Sequence, residues 1–235
     1  MAYCLLLRHA RSSANAAGLL AGWSAGVSLD DTGRAQAQEV VDRLGELPLV
    51  RVVTSPLDRC LETVEPLRAR LGLDLEVEPD IGEAHYGGWT GRPLVELAKE
   101  PLWRTVQSTP SQAVFPPSDE HAHESIATMA QRAVAAIRRV DAQVEAEHGA
   151  HAMWLAVSHG DIIKSVVADA SATPLDDFQR FVVDPASVSL LRYTPERPFV
   201  LRVNDSGPLR PVPQPSTTTP ETTPSGDAVV GGGAG

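Results

Sequence analysis

The stretch Tyr3-Cys4-Leu5-Leu6-Leu7-Arg8-His9 decides the fold. The apolar run from Tyr3 to Leu7 has the length of a buried strand, and it stops at a cation and an imidazole. The same pattern recurs twice. Val50-Arg51-Val52-Val53 is a β-branched strand that leads into Thr54-Ser55-Pro56 and then Arg59. Met153 to Val157 is a buried strand that leads into Ser158-His159-Gly160. Helical spacing fills the intervals. Thr32 to Leu47 carries Ala37, Val40, Val41 and Leu44 on one face, with Thr32 as the predicted N-cap. Leu57 to Leu71 is helical and Gly72 ends it. Ile126 to His148 is the longest amphipathic segment, and Ile162 to Ala170 is a further helix. Leu73–Val77, Ser187–Tyr193 and Phe199–Val203 complete the strands. Strands alternating with helices predict a layered α/β fold. In such a sheet, ligands sit beyond the carboxyl ends of the strands. There the pattern gathers two histidines and two arginines: His9, His159, Arg8 and Arg59.

The rest of the chain narrows the function. At 235 residues it fits one domain of ordinary size with a tail. A net charge of −10 argues against nucleic acid or an anionic membrane as partner, but a local arginine cluster can still hold a small anionic substrate. The lysines are Lys99 and Lys164; every other fixed cation is arginine. Cys4 and Cys60 make no disulfide framework and have no zinc-ligand spacing, and neither sits in the glycine-rich loop of a cysteine phosphatase. Cys60 reads as a small core residue. No run approaches the roughly 20 apolar residues of a membrane helix, and the N-terminal run is too short for a signal peptide, so the expected location is cytoplasmic. From Asn204 onward Pro, Gly, Ser and Thr dominate. The predicted division is a folded domain over 1–203 and a disordered tail over 204–235.

Guanidinium forks match phosphate oxygens bidentately, and a neutral imidazole beside a phosphate can attack phosphorus. Longer motifs carry a specific resemblance. Leu6-Leu7-Arg8-His9-Ala10-Arg11-Ser12-Ser13-Ala14-Asn15 resembles the signature of the histidine phosphatase superfamily, in its phosphoglycerate-mutase-like branch: Arg-His, then Ser three residues and Asn six residues after the His. Further segments resemble the family in order. They are Gly22-Trp23; Leu29-Asp30-Asp31-Thr32-Gly33 with Gln36-Ala37; Thr54 to Thr63 around Arg59; Ile81-Gly82-Glu83 with Gly87, Trp89 and Gly91; Glu124-Ser125; and Val157-Ser158-His159-Gly160. Ala10 stands where the family has glycine, Ala21 where many members have Thr or Gln, and His123 where glycine precedes Glu-Ser. An alanine at position 10 would be crowded if its backbone needed a positive φ.

The resemblance implies a three-layer α/β/α sandwich with a mostly parallel central sheet. It implies His9 as nucleophile, with its second ring nitrogen held by a backbone carbonyl. Arg8, Arg59 and a protonatable His159 would bind the phosphoryl oxygens, with Asn15 and Gly160 as further phosphate contacts. Glu83 would be the general acid and base. No metal and no cofactor are implied, and the partner is a small phosphorylated metabolite; the oligomeric state stays open. Ser55 and Ser158 read as supporting residues, Trp23 and Trp89 as packing, and His121, His123, His148 and His151 as solvated. His85 and Tyr86 could line the pocket or pack a loop. His85-Tyr86-Gly87-Gly88 looks like a mutase stretch, yet residues 92–123 offer only Arg92, Lys99 and Arg104 as fixed cations, too few for a bisphosphorylated intermediate. The favoured function is therefore a phosphatase acting on a small phosphomonoester. The alternatives are a cofactor-dependent phosphoglycerate mutase and a weakly active phosphate-binding regulatory module.

Overall fold

Alternation along the strands sends apolar side chains into two separate cores. In β1 (Tyr3–Arg8), Leu5 and Leu7 join one core while Cys4 and Leu6 join the other. In β4 (Met153–Ser158), Leu155 and Val157 share the first and Trp154 and Ala156 the second. The first core is closed by α2 (Asp31–Leu44) and α3 (Asp58–Leu71) through Ala37, Val40, Cys60, Val64 and Leu67. The second is closed by α6 (Ile126–His148) and α7 (Gly160–Ala170) through Met129, Ala133, Ile137, Ile163 and Val167. Each large apolar side chain withdrawn from water in these layers contributes about 1.5–3 kcal/mol. The result is the expected three-layer α/β/α sandwich. Residues 2–207 are described by this computed structural model.

The sheet adds β2 (Leu49–Thr54), β3 (Leu75–Val77), β5 (Val188–Arg192) and β6 (Phe199–Asp205), in the order β3-β2-β4-β1-β5-β6. The first four in that order are parallel; β5 and β6 are added antiparallel. Register brings the active strand ends level. Arg8 lies opposite Ser158, and Thr54 opposite Val157, so the residues that follow all leave the sheet on one edge.

Several boundaries differ from the sequence expectation. Asp30 rather than Thr32 caps α2: its carboxylate accepts from the Gly33 amide at 2.7 Å. Gly33 in turn packs so tightly on the Arg11 carbonyl that a Cβ there would lie 1.9 Å from the oxygen. The helix expected from Ile162 begins at Gly160, which makes His159 its N-cap residue. The last strand runs past Val203 to Asp205, so Asn204 and Asp205 belong to the folded domain and not to the tail. Asn204, in the left-handed region at φ 56°, is fixed by two hydrogen bonds with Asp184. The expected tail from residue 208 onward lies outside the described residues. Between β3 and α6, short helices α4 (Leu94–Leu97) and α5 (Pro101–Ser108) and several 3-10 turns pack on the second core through Tyr86, Trp89, Leu97, Trp103 and Phe115. The short α1 (Ser13–Ala17) completes the count of helices described. Among the described residues no helix is long and apolar enough to cross a membrane.

Candidate active site

Four of the expected residues meet at the edge of the sheet, each almost fully buried: Arg8, His9, Arg59 and His159. Backbone geometry places His9. Its amide donates to the Ser158 carbonyl at 2.9 Å, continuing the ladder one residue past β1, and its Nδ1 donates to the Ala10 carbonyl at 2.8 Å. The tautomer is then set, with the lone pair on Nε2. Ala10 has no positive φ and is itself buried in the first core, so the crowding feared from its methyl group does not arise. Its amide donates to Thr63 Oγ1 (2.9 Å), which donates to the Arg59 carbonyl (2.6 Å). One hydroxyl thus fixes α3 and the His9 loop together.

The guanidiniums are held by carbonyls. Arg8 Nη1 donates to Val183 O at 2.7 Å and Arg59 Nη2 to Gly22 O at 3.0 Å. Burial lowers the pKa of Arg8, but nearby carboxylates oppose the shift. Burial, then Arg59, then Arg8, pushes His9 well below the usual imidazole range. Burial followed by Arg59, His9 and Arg8 does the same to His159. Both rings are therefore neutral at pH 7. His159 Nε2 pairs with Ser55 Oγ at 2.8 Å, and Leu57 N donates to the same hydroxyl; the other ring nitrogen of His159 is Nδ1. That buried Nδ1 has no hydrogen-bond partner; the nearest carboxylate oxygen, Glu83 Oε2, is 3.7 Å away. The His9 and His159 ring centres are 5.2 Å apart.

Glu83 enters from an irregular segment and is braced on every side. Its carbonyl accepts from Trp23 Nε1 (2.6 Å) and from Arg132 Nη2 (2.9 Å). Arg132, on α6, also bonds the carbonyls of Asp80 and Gly82 and pairs with Glu124. Gly82 lets the Trp23 ring lie against the chain: a Cβ there would meet the indole at 2.5 Å. Ser158 Oγ donates to the Ile81 carbonyl (2.6 Å), which ties the segment to β4. Glu83 Oε1 accepts from the Ala84 amide (3.0 Å), and Oε2 lies 3.9 Å from Arg59 Nη2. Burial raises its pKa to about 7, against the pull of Arg59 and with the help of Asp161.

Asn15 is placed differently from the strand-end residues. It closes a capping box on α1, its Oδ1 accepting from Ser12 N (3.0 Å) and Ser12 Oγ (2.9 Å), so only its Nδ2 can donate to a ligand. Tyr86 is buried edge-on against Phe115, and His85 stacks on Trp23 at 4.6 Å. Trp89 packs in the core and donates to Glu100 at 2.8 Å. Trp23 does more than pack, as its bond to Glu83 shows. The spacing signals missed Arg132 and Asp161. Arg132 sits on the polar side of an amphipathic helix, where any arginine reads as solvated. The neighbouring Glu124-Ser125 motif was the one pointer to it.

Comparison with known proteins bears on the family and the fold. Residues 4–206 match the model of the histidine phosphatase superfamily (branch 1). An acid phosphatase of Mycobacterium tuberculosis is 31% identical over 191 residues, 79% of this chain and 84% of that protein. An uncharacterized protein of the same species is 43% identical over 70 residues, 30% of this chain; the match spans 35% of that protein's length. Among solved structures, mycobacterial glucosyl-3-phosphoglycerate phosphatase in complex with VO3 superposes with a TM-score of 0.75 at 22% identity, covering 86% of this chain and 99% of that one. With the matched segment running from β1 to the end of β6, the chain belongs to branch 1 of the histidine phosphatase superfamily.

Proposed function

We propose that the protein is a phosphatase that hydrolyses a small phosphomonoester through a phosphohistidine on His9. One observation carries this reading: the His9 ring is neutral and anchored by Nδ1 to the Ala10 carbonyl, which leaves an Nε2 lone pair inside a buried group of donors. Nε2 attacks phosphorus in line, and the N–P bond forms as the bond to the leaving oxygen breaks. Arg8 and Arg59 offset the charge on the phosphoryl oxygens, and His159 Nδ1 supplies a neutral donor. The Asn15 amide and the amide end of α7 at Gly160 add further donors. With a pKa of about 7, Glu83 still holds a proton near neutrality and gives it to the departing alkoxide. The resulting carboxylate then takes a proton from the water that attacks the phosphohistidine. Phosphate leaves, and both side chains return to their starting states.

Hydrolysis is favoured over mutase transfer by the cations outside the cluster. Arg92 is paired with Glu100 at 2.6 Å, and Lys99 and Arg104 are exposed on the surface. A second phosphoryl group would find few fixed charges to hold it. Incubation with p-nitrophenyl phosphate tests the reading. Turnover should survive EDTA, stop with vanadate and fall at least about 10⁴-fold in His9→Ala. An inert wild type that still binds phosphate would point to a binding module, and bisphosphoglycerate-dependent isomerisation of 3-phosphoglycerate to a mutase.

A further inference from the structure

Next to Glu83 lies a buried polar group for which the catalytic steps have no use. Asp161, in the first turn of α7, is 2% exposed, and Lys164, one turn later, is 3% exposed. Lys164 Nζ stands 3.4 Å from Asp161 Oδ1 and donates to Gln179 Oε1 at 2.8 Å. The Tyr86 hydroxyl, also buried, contacts Asp161 Oδ2 at 3.4 Å and interacts with the Glu83 carboxylate as well. Ser165 Oγ donates to the Asp161 carbonyl at 2.8 Å, fixing the turn that carries it. Burying an ammonium–carboxylate pair costs several kcal/mol per ion unless geometry and partners compensate, so its position against the proton donor calls for a reason.

Two carboxyl groups thus share one buried corner, and only one has an ammonium of its own. Where two titratable groups are held in unlike environments, their protonation states are driven apart. We propose that Asp161, anchored by Lys164 and linked through Tyr86, is a positioning residue for the proton on Glu83: a fixed negative charge that makes Glu83 the carboxyl that carries it. The other groups facing Glu83 are Arg59 from α3, Arg8 from β1, and the neutral rings of His9 and His159. Burial is the main influence that keeps Glu83 protonated; the two guanidiniums favour the ionised carboxylate, and Asp161 is the charge that adds to burial against them. Without it, a larger share of Glu83 would be ionised when the leaving oxygen needs a proton. The proposal rests on Glu83 being the donor of the phosphatase reaction, but the electrostatic coupling can be measured without any turnover.

Asp161→Asn keeps the shape and removes the charge. A carbon-13 titration of the Glu83 carboxyl in the full-length protein should show its midpoint falling by about one pH unit from wild type to variant. With an alkyl phosphate, whose alkoxide must be protonated, the high-pH limb of kcat/KM should move down equally. The loss would then be about tenfold at pH 8 and small at pH 5. A structural role alone would lower the rate at every pH and leave the limb in place. Because Asp161→Asn strands a buried ammonium, the double variant Asp161→Asn/Lys164→Gln removes both charges together and gives the fold a neutral pair. Its titration should shift in the same direction by a smaller amount. A Glu83 midpoint unmoved in the folded variants overturns the proposal whatever the activity. A wild type that shows the shift but hydrolyses no phosphomonoester refutes the phosphatase reading and leaves the coupling standing.

Discussion

The site has two halves that are built in different ways. Arg8, His9 and His159 hang from the ends of adjacent parallel strands, and Arg59 from the first turn of α3 packed beneath them. Glu83 hangs from a loop that has no regular structure beyond a 3-10 turn at Pro79–Ile81. Sheet register positions the first half, so it needs few side-chain supports. The second half has no ladder and is held by side chains instead: Trp23, Arg132 and Ser158, each bonded to a carbonyl between Asp80 and Glu83. The first half is fixed mainly by backbone, with the Thr63 and Ser55 hydroxyls as side-chain ties. Glu83, in contrast, depends on a brace that reaches across from α6.

The widest separation of the two halves should come from Glu83→Gln. With an alkyl phosphate the turnover should drop about 10³-fold, while p-nitrophenyl phosphate, whose leaving group needs no proton, should lose far less in a single-turnover phosphorylation assay. Stability moves the other way. A carboxyl whose folded pKa lies above its unfolded value of 4.5 binds its proton more tightly in the folded state. It therefore costs stability as pH rises from about 4.5 through about 7. Denaturant unfolding at pH 8 should find Glu83→Gln more stable than wild type by roughly 3 kcal/mol, with the gain absent at pH 4. Arg59→Met comes next, with a loss of about 10² in kcat/KM on both substrates alike, since phosphoryl charge is common to them. Equal sensitivity of the two substrates to Glu83→Gln, or unequal sensitivity to Arg59→Met, would break the division. The smallest effect belongs to the brace. Arg132→Met should cost about tenfold on the alkyl ester and about 2 kcal/mol of stability, because it leaves the Glu124 carboxylate unpaired and frees the donor loop. A kinetic loss equal on both esters would show that the brace serves the whole site.

The same division governs what could be read from the chain. Strand runs ending in Arg8-His9 and Ser158-His159 announce both the sheet and the residues at its edge, because period and burial there are local properties. The long helix from Ile126 to His148 is equally plain, its apolar face being continuous over the whole length. Helix α1 has only five residues, too few to show a period, and its cap is made by Ser12 and Asn15, residue types that also suit phosphate. Thr32 looks like a cap by type, but Asp30 comes before it and reaches the Gly33 amide first. Glu83 could be found only by resemblance, since four acidic residues (Glu76, Glu78, Asp80 and Glu83) lie within eight positions. Its supports Arg132 and Trp23 are far away in sequence and declare themselves only when the chain is folded. Asp161 and Lys164 lie in a mostly apolar helix whose composition points to burial, but no local signal says that they pair or that they lie near Glu83.

The carbonyl of Ala10 has one more effect. An imidazole can carry a phosphoryl group on either nitrogen, giving two regioisomers of the covalent adduct. With Nδ1 bonded to that carbonyl, the proposed adduct on His9 would be the Nε2 isomer. The identity of that proposed adduct would then be decided by a peptide oxygen one residue along the chain, an atom that no side-chain substitution removes.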